Sequence, residues 1–564
     1  MTVDTATLAA AQLVREGAGV VFSLSGGHIT PLWGALADAG IRILDVRHED
    51  AAVHMAQAYE RAGGGLGVAC ATAGPGVTNT VTGVATASVG AGPLLLIGGR
   101  PPVAQFDLGA FQDVDQPAIL GPLTKTALTV FEGARVGEYL SAAVRAAHTA
   151  PFGPAYVEIP TDVLRQTVEA DAAEEWTVAP ARLEARVPPP PDALELALTI
   201  LERAERPVIV AGSVVHWSDA FAELRACAEA LTAPVLTTAT TRGALPARHP
   251  LNLYAARSHL LSSADVVVVV GTRFNFVMGY GRPPRFPADA AVIQIDLAAS
   301  ELNRNRTATV ALHADAATAL SAIAAAAERW NARRPWLEEA RARHERARAL
   351  VEHEASSDSR PIHPLRLCAD AVRSTPENTV FVADGGDILS FARVAIQPDS
   401  PRRYLDPGPF GALGVGLPFA IAAKLAQPSA PVVCITGDGA LGINLMEFDT
   451  AVRHGVPILV LVSNNAAWGI ERNSQIVDFE DATGLGTVLR DCRFDLVAQA
   501  LGGHGERVED PTELAGAIGR ALESGLPALV DVVTDVDAAS PDLRRGLARV
   551  PDRQPLVSYG KREA

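Results

Sequence analysis

Three times along this chain, short aliphatic runs alternate with alanine-rich stretches of helical period. Within residues 1–185 the runs are VVFSL, IRILDV, GVACAT and PLLLIGG. Within 190–350 they are PVIVAG, PVLTT, VVVVVGT and AVIQID. Within 360–564 they are TVFVADG, PVVCITGDG, ILVLVSNN and ALVDVVT. A strand that is apolar at nearly every position has no wet face, so both faces must be covered. Helices lying between successive strands provide the cover, and strands joined through helices run parallel. The pattern predicts an α/β protein of three doubly wound parallel-sheet domains. Two stretches read as linkers between them. ARVPPPPDALELA (185–197) holds four consecutive prolines, which continue neither a helix nor a central strand. HEASSDSRPIHP (353–364) is polar and proline-bearing. Ligands of such sheets gather beyond the carboxyl ends of the strands, so the chemistry is sought there.

The 564 residues carry a formal net charge of −16, which argues against broad nucleic-acid or membrane-surface binding. The purely aliphatic runs, such as Val266 to Val270, are too short to span a bilayer. The first residues, MTVDTATLAAAQLVREG, contain early acids and no long apolar run, and read as a helix and not a signal peptide. Cys70, Cys227, Cys368, Cys434 and Cys492 form no C-x-x-C pair, so neither a disulfide framework nor a zinc site is expected, in keeping with a reducing cytoplasm. Lys125, Lys424 and Lys561 are the only lysines, which lowers the expectation of Schiff-base chemistry.

One stretch, ITGDGALGINLMEFDTAVRHGVPILVLVSNNAAWGIE (435–471), places Gly437-Asp438-Gly439 after one apolar run and Asn464-Asn465 after the next. The intervening residues predict one helix from about Ala440, with Leu441, Leu445, Phe448 and Val452 on one face. A right-handed crossover brings both strand ends to one sheet edge, so Asp438 and Asn465 can meet. A carboxylate and an amide oxygen are hard donors that suit Mg²⁺. The glycines allow close backbone approach to a diphosphate, and the helix start offers it free N–H groups. Taken alone, Gly-Asp-Gly is a helix-capping turn; spacing and strand context together favour the site.

Gly-Asp-Gly followed by Asn-Asn at this spacing resembles the signature of thiamine diphosphate-dependent enzymes. The resemblance covers the chain as a pyrimidine-binding domain (1–185), a central domain (190–350), a diphosphate-binding domain (360–535) and a C-terminal tail (536–564). It implies Mg²⁺ ligation by Asp438, Asn465 and the backbone carbonyl of Ala467. It implies that Glu49, in IRILDVRHEDAAVHMA, is the acid that donates to the coenzyme's pyrimidine ring and promotes loss of its C2 proton. Ala73-Gly74-Pro75-Gly76 and Asn79 fall where the family's backbone packs against the pyrimidine, with Asn79 expected to start a helix. Leu413, in DPGPFGALGVGLPFA, matches the aliphatic wedge beneath the coenzyme, with Gly411 nearby. Gly385, Gly386 and Asp387, together with Gly437, Gly439, Ala440, Trp468, Gly469 and Ile470, are expected around the diphosphate.

For the substrate, the resemblance points to Gly26-Gly27-His28, to Phe111 and Gln112, and to Glu471. GIERNSQ departs from the G-M-V-x-Q-W-Q pattern of the acetolactate synthase branch. GGHI, DPGPFGALGVG and GTRFNFVMGYGRPPRF are similar to stretches of 2-hydroxyacyl-CoA lyases. The branch implies a carbon–carbon lyase acting on an acyl-CoA, with His28, Gln112 and Glu471 orienting substrate and moving protons. Alternatives are an acetolactate synthase-like carboligase, an oxalyl-CoA decarboxylase-like enzyme, or a non-catalytic paralogue. Related acyl-CoA enzymes hold ADP in the central domain, where Arg273 and Asp296 could serve it; FAD or no nucleotide are the other outcomes. The basic tail, with Arg544 and Arg545, could close over CoA. The family also implies a homodimer at least, and a homotetramer by expectation.

Overall fold

The computed structural model describes residues 2–544, apart from 170, 172–175, 177–178, 181–185, 329, 331–334 and 480–483. Three parallel sheets form. The first runs Arg42–Asp45, Val20–Ser23, Val68–Ala71, Leu94–Arg100, Pro154–Pro160 and Ala127–Thr129 in spatial order. The third runs Tyr404–Leu405, Val380–Ala383, Val432–Gly437, Leu459–Asn464, Ala528–Val533 and His504–Val508. Counted within each domain, both orders are 2-1-3-4-6-5, so the outer two-thirds of the chain repeat one topology. The central sheet is the five-stranded 2-1-3-4-5: Val235–Thr237, Pro207–Ala211, Val266–Val270, Ala291–Asp296 and Val310–His313. In each, strand order reverses between the first and third strands, the crevice where such sheets take ligands.

Every aliphatic run singled out in the sequence forms a strand. The run Val266–Val270 is buried at all its positions, as its composition demands. Among the described residues the pattern misses Pro154–Pro160, whose terminal prolines and inward Glu158 disguise a central strand. It also misses the short or polar strands Ala127–Thr129, Val310–His313, Tyr404–Leu405 and His504–Val508. The N-terminus is a correction: Thr2–Asp4 pairs antiparallel with Thr167–Glu169, and the helix starts only at Thr5, capped by Asp4. The single helix expected after Gly-Asp-Gly is two, Asp438–Asn444 and Glu447–Arg453. Four of the cysteines are buried and Cys492 is exposed, all unpaired. No helix among the described residues is long and apolar enough to cross a membrane.

The first and third domains share a core. The helix Glu49–Arg61 packs its Ala52, Met55 and Ala56 among Val415, Phe419 and Ala422 near and within the helix Gly416–Ala426. Where all three domains meet, Asp406 is fully buried. Burial alone would raise its carboxyl, yet Arg393, Arg61 and Arg242 together hold it below the usual range. Arg393 lies 3.1 Å from it, and Arg61 donates to its backbone carbonyl at 2.9 Å. Asp406 in turn accepts from the Gly408 N–H, tethering the loop that runs on to Leu413.

Candidate active site

A cleft of about 260 Å³ opens at the carboxyl ends of the strands Val380–Ala383 and Val432–Gly437, the reversal point of the third sheet. Fifteen residues singled out in the sequence line it: Gly385, Gly386, Asp387, Gly411, Leu413, Gly437, Asp438, Gly439, Ala440, Asn465, Ala467, Trp468, Gly469, Ile470 and Glu471. None of its lining residues is Lys or Arg. A phosphate-bearing ligand must therefore be held by a cation and by backbone dipoles. Two longer helices, Asp387–Ala395 and Gly469–Phe479, start on the cleft, as does the shorter Asp438–Asn444. Their free N–H groups and positive dipole ends face the same space.

Asp438 is buried, and burial pushes its carboxyl up to about 6 against the backbone N–H groups of Gly439, Ala467 and Ala466. Its Oδ2 has no hydrogen-bond partner. A buried carboxylate oxygen without donor or counter-charge is costly, and a bound divalent cation would supply what is missing. The donor set fits Mg²⁺: one carboxylate, the Asn465 amide and the Ala467 carbonyl, all oxygen. Clusters of three or more His, Cys, Asp or Glu fit for a metal are absent among the described residues. Between Asn465 and Ala467, Ala466 sits in the left-handed region at φ 52°. Leu489 N–H bonds its carbonyl at 2.7 Å and Trp468 N–H bonds Thr487 at 2.8 Å, holding this turn in place.

The two asparagines divide their work. Asn464 is buried and donates to Asp531 at 2.9 Å and to the Cys492 carbonyl at 3.0 Å. Arg507 bridges Asp531 and Asp491 behind it. Asn464 thus pins the strand end, and Asn465 faces the cleft. Asp531 and Arg507 carry no signal in the sequence, because polar partners from distant strands leave no local pattern. Glycines are required by close approach: a Cβ on Gly439 would lie 2.7 Å from the Trp468 ring, and one on Gly386 2.6 Å from Ile470. Asp387 is held by Ser540 and Asn473; burial pushes its carboxyl up to about 6, and Asp542 and Glu471 add like charge. Pro364, Phe391, Ser463, Asp535 and Ala538 also line the cleft and were not foreseen.

A second constellation lies at the reversal point of the first sheet. Glu49 opens its helix, is 5% exposed, and accepts from Asn79 Nδ2 at 2.9 Å. Asn79 does not start a helix; it ends the short turn Pro75–Thr78. Gly74, at φ 60°, leaves no room for a side chain, since a Cβ would lie 2.7 Å from the Gln112 carbonyl. Its N–H bonds the fully buried Gln116 at 2.8 Å. Gln116 also donates to Gly99, Tyr156 and Glu158, so it locks the Gly74-Pro75 turn to two strands. Gln112 is itself left-handed at φ 62°. His28 stacks on Phe111 at 6.4 Å and approaches Thr72 Oγ1 at 3.3 Å. Burial lowers the His28 pKa, opposed by a hydrogen bond with Gln112. Gly26 lies against Thr72. None of these first-domain residues lines the third-domain cleft.

The central-domain pair is engaged within the protein. Arg273 donates to the Val89 carbonyl at 3.0 Å and lies 3.6 Å from Glu301. Asp296 is buried and accepts from the Ala298 N–H, with burial pushing its carboxyl up to about 6. In the tail, Arg544 pairs with Glu354 at 2.7 Å, and Arg545 lies outside the described residues. Residues 535–538 border the cleft, where Asp537 pairs with Arg472 at 2.9 Å.

Comparison with known proteins finds three family domains in order along the chain. Residues 3–119 match the thiamine pyrophosphate enzyme N-terminal TPP binding domain, 194–323 the central domain, and 384–532 the C-terminal TPP binding domain. A probable acetolactate synthase of Mycobacterium bovis is 36% identical over 543 residues, covering 96% of this chain and 97% of that protein. The 2-hydroxyacyl-CoA lyase 2 of Homo sapiens is 34% identical, covering 88% of this chain and 84% of that protein. A 2-hydroxyacyl-CoA lyase of Oryza sativa is 31% identical, covering 95% and 96%. Domain order, cleft and full-length relatives agree, and the chain belongs to the thiamine pyrophosphate enzyme family.

Proposed function

We propose that the protein is a thiamine diphosphate- and Mg²⁺-dependent 2-hydroxyacyl-CoA lyase. It cleaves the C1–C2 bond of its substrate to formyl-CoA and an aldehyde or ketone. The observation that carries this reading is the His28, Phe111 and Gln112 cluster. Burial favours the neutral imidazole of His28, and Gln112 is an uncharged partner beside it. Arg100, on the strand that feeds this loop, is committed to Glu158 and lies 3.7 Å from Asp113. Neutral donors and acceptors suit a thioester carbonyl and a hydroxyl group better than the carboxylate of a 2-oxo acid.

When bound, thiamine diphosphate supplies the nucleophilic carbon and the electron sink that the cleavage needs. Asp438, Asn465 and the Ala467 carbonyl would hold Mg²⁺. The N–H groups at Gly386-Asp387 and Gly469-Ile470 would hold the diphosphate, and Leu413 would support the rings between. Glu49 would donate to the pyrimidine ring, with Asn79 fixing its second oxygen. His28 and Glu471 would move the proton that leaves the 2-hydroxyl and the proton gained at C1, so the cleavage balances. Because Glu49 does not line the cleft of its own chain, a second copy completes each site in this reading, making the protein a homodimer or a tetramer of such dimers. Exposed Leu108 and Phe111 beside one half, and Leu485 and Val488 near the other, would be covered there.

Gly469→Ala tests the cleft. A Cβ would stand 2.7 Å from Asp387 Oδ2 and 2.8 Å from Asn465 Nδ2, so both short side chains must move. Thiamine diphosphate affinity, measured by quenching of tryptophan fluorescence, is expected to fall at least about tenfold, roughly 1.4 kcal/mol.

The identity of the acetolactate synthase relative favours a second reading, a carboligase acting on pyruvate. Incubation with a series of 2-hydroxyacyl-CoAs, with pyruvate and with oxalyl-CoA separates the cases. Formyl-CoA from the first class, detected by mass spectrometry, supports the lyase. Carbon dioxide and acetolactate from pyruvate, or carbon dioxide together with formyl-CoA from oxalyl-CoA, with no formyl-CoA from any 2-hydroxyacyl-CoA, overturns it.

A further inference from the structure

The backbone that presents Glu49 is gripped by the third domain of the same chain. Glu447, 1% exposed, opens the helix Glu447–Arg453, three residues beyond the end of the helix Asp438–Asn444. Its Oε1 accepts from the backbone N–H groups of Arg47 and His48 at 3.0 and 3.1 Å. Its Oε2 accepts from the Thr450 hydroxyl at 2.7 Å. The other end of this helix grips the end of the strand just before: His454 meets Asp45 at 2.7 Å, and Arg453 donates to the Asp45 carbonyl at 2.8 Å. Asp449 lies 3.5 Å from Arg47. His48 then caps the Glu49 helix by accepting from the Asp50 N–H.

A carboxylate carried into the protein interior needs several donors. Glu447 finds two of its three on the peptide units immediately before Glu49. From this geometry we propose that Glu447 is the positioning residue for Glu49: it sets where the His48–Glu49 turn stands, and so where the acid reaches. It touches neither coenzyme nor substrate in this assignment. The inference rests on the reading of Glu49 as the activating acid, but not on the choice of acyl-CoA.

Two variants separate reach from charge. Glu447→Gln keeps a carbonyl oxygen at the same distance from Arg47 and His48. Glu447→Asp keeps the charge and is one methylene too short. Two measurements are made on each full-length protein. One is backbone amide exchange over residues 44–52 without added coenzyme, by mass spectrometry. The other is exchange of the C2 proton of bound thiamine diphosphate with solvent deuterium, in the absence of substrate, by proton NMR. Glu447→Asp is expected to lose amide protection in this segment and to slow C2 exchange about 30- to 100-fold, the scale for a misplacement near 1 Å. Its coenzyme affinity should stay within about threefold of the parent, since a 1.4 kcal/mol loss would already be tenfold. Glu447→Gln should recover most of both. Equal behaviour of the two variants, unchanged exchange in Glu447→Asp, or loss of coenzyme binding in parallel with exchange overturns the proposal. Glu49→Gln serves as the control: if it leaves C2 exchange intact, the reading of Glu49 fails; if it stops exchange and Glu447→Asp does not, only the positioning role fails.

Discussion

Glu49→Gln is expected to lower turnover about 10³-fold, within the range for loss of a positioned general acid. Glutamine fits the same buried space at the start of the Glu49–Arg61 helix, and can still bond Asn79 Nδ2 through its carbonyl. What it cannot do is exchange a proton with a ring nitrogen. Folding should therefore be unaffected, as judged by the thermal midpoint, and coenzyme and Mg²⁺ affinity should change little because their donors lie in the third domain. Steady-state kinetics alongside coenzyme titration would check this. Turnover within tenfold of the parent would remove Glu49 from the mechanism.

Asp438→Ala is expected to act the other way, on binding. The carboxylate is buried, one oxygen lacks any donor, and no lining residue is Lys or Arg. Without it, the negatively charged diphosphate would enter a cleft bordered by Asp387, Glu471 and Asp535, with its cation held by only an amide and a carbonyl. Affinity for thiamine diphosphate in the presence of Mg²⁺ should fall by at least about 10³-fold, roughly 4 kcal/mol. In the absence of coenzyme, the variant should be at least as stable as the parent to heat, since it removes a buried carboxylate that lacks a full set of partners. Isothermal titration and calorimetry separate the two effects. Undiminished Mg²⁺-dependent binding would show that the metal is held elsewhere.

Much of the third-domain cleft was legible from local sequence, because its donors sit at strand ends and helix starts, where glycine and a short polar residue advertise the turn. Gly437-Asp438-Gly439, Asn465 and Gly386-Asp387 are of this kind. The site residues in the first domain were reached through resemblance to known motifs, since a lone Glu49 or His28 has no distinguishing neighbourhood. Glu447, Gln116 and Asp531 were invisible by either route. Each acts through partners far along the chain: Glu447 with Arg47 and His48, Gln116 with Gly74 and Glu158, Asp531 with Asn464 and Arg507.

Hydrophobic periodicity by itself determined that this chain forms three covered parallel sheets, because a continuously apolar strand has one solution in water: burial on both faces. It also determined which strand ends carry glycine and acid. The tertiary structure alone decided how these ends are placed against one another. Pro154–Pro160 entered the first sheet despite its prolines, which stand only at its two ends, and it pairs with Leu94–Arg100 on one side and Ala127–Thr129 on the other. The expected single helix broke after Asn444, and Glu447 could then bond the turn before Glu49. Side-chain hydrogen bonds between distant residues carry little of the free energy that selects the fold, so they leave no period in the sequence, yet they decide where a catalytic group stands.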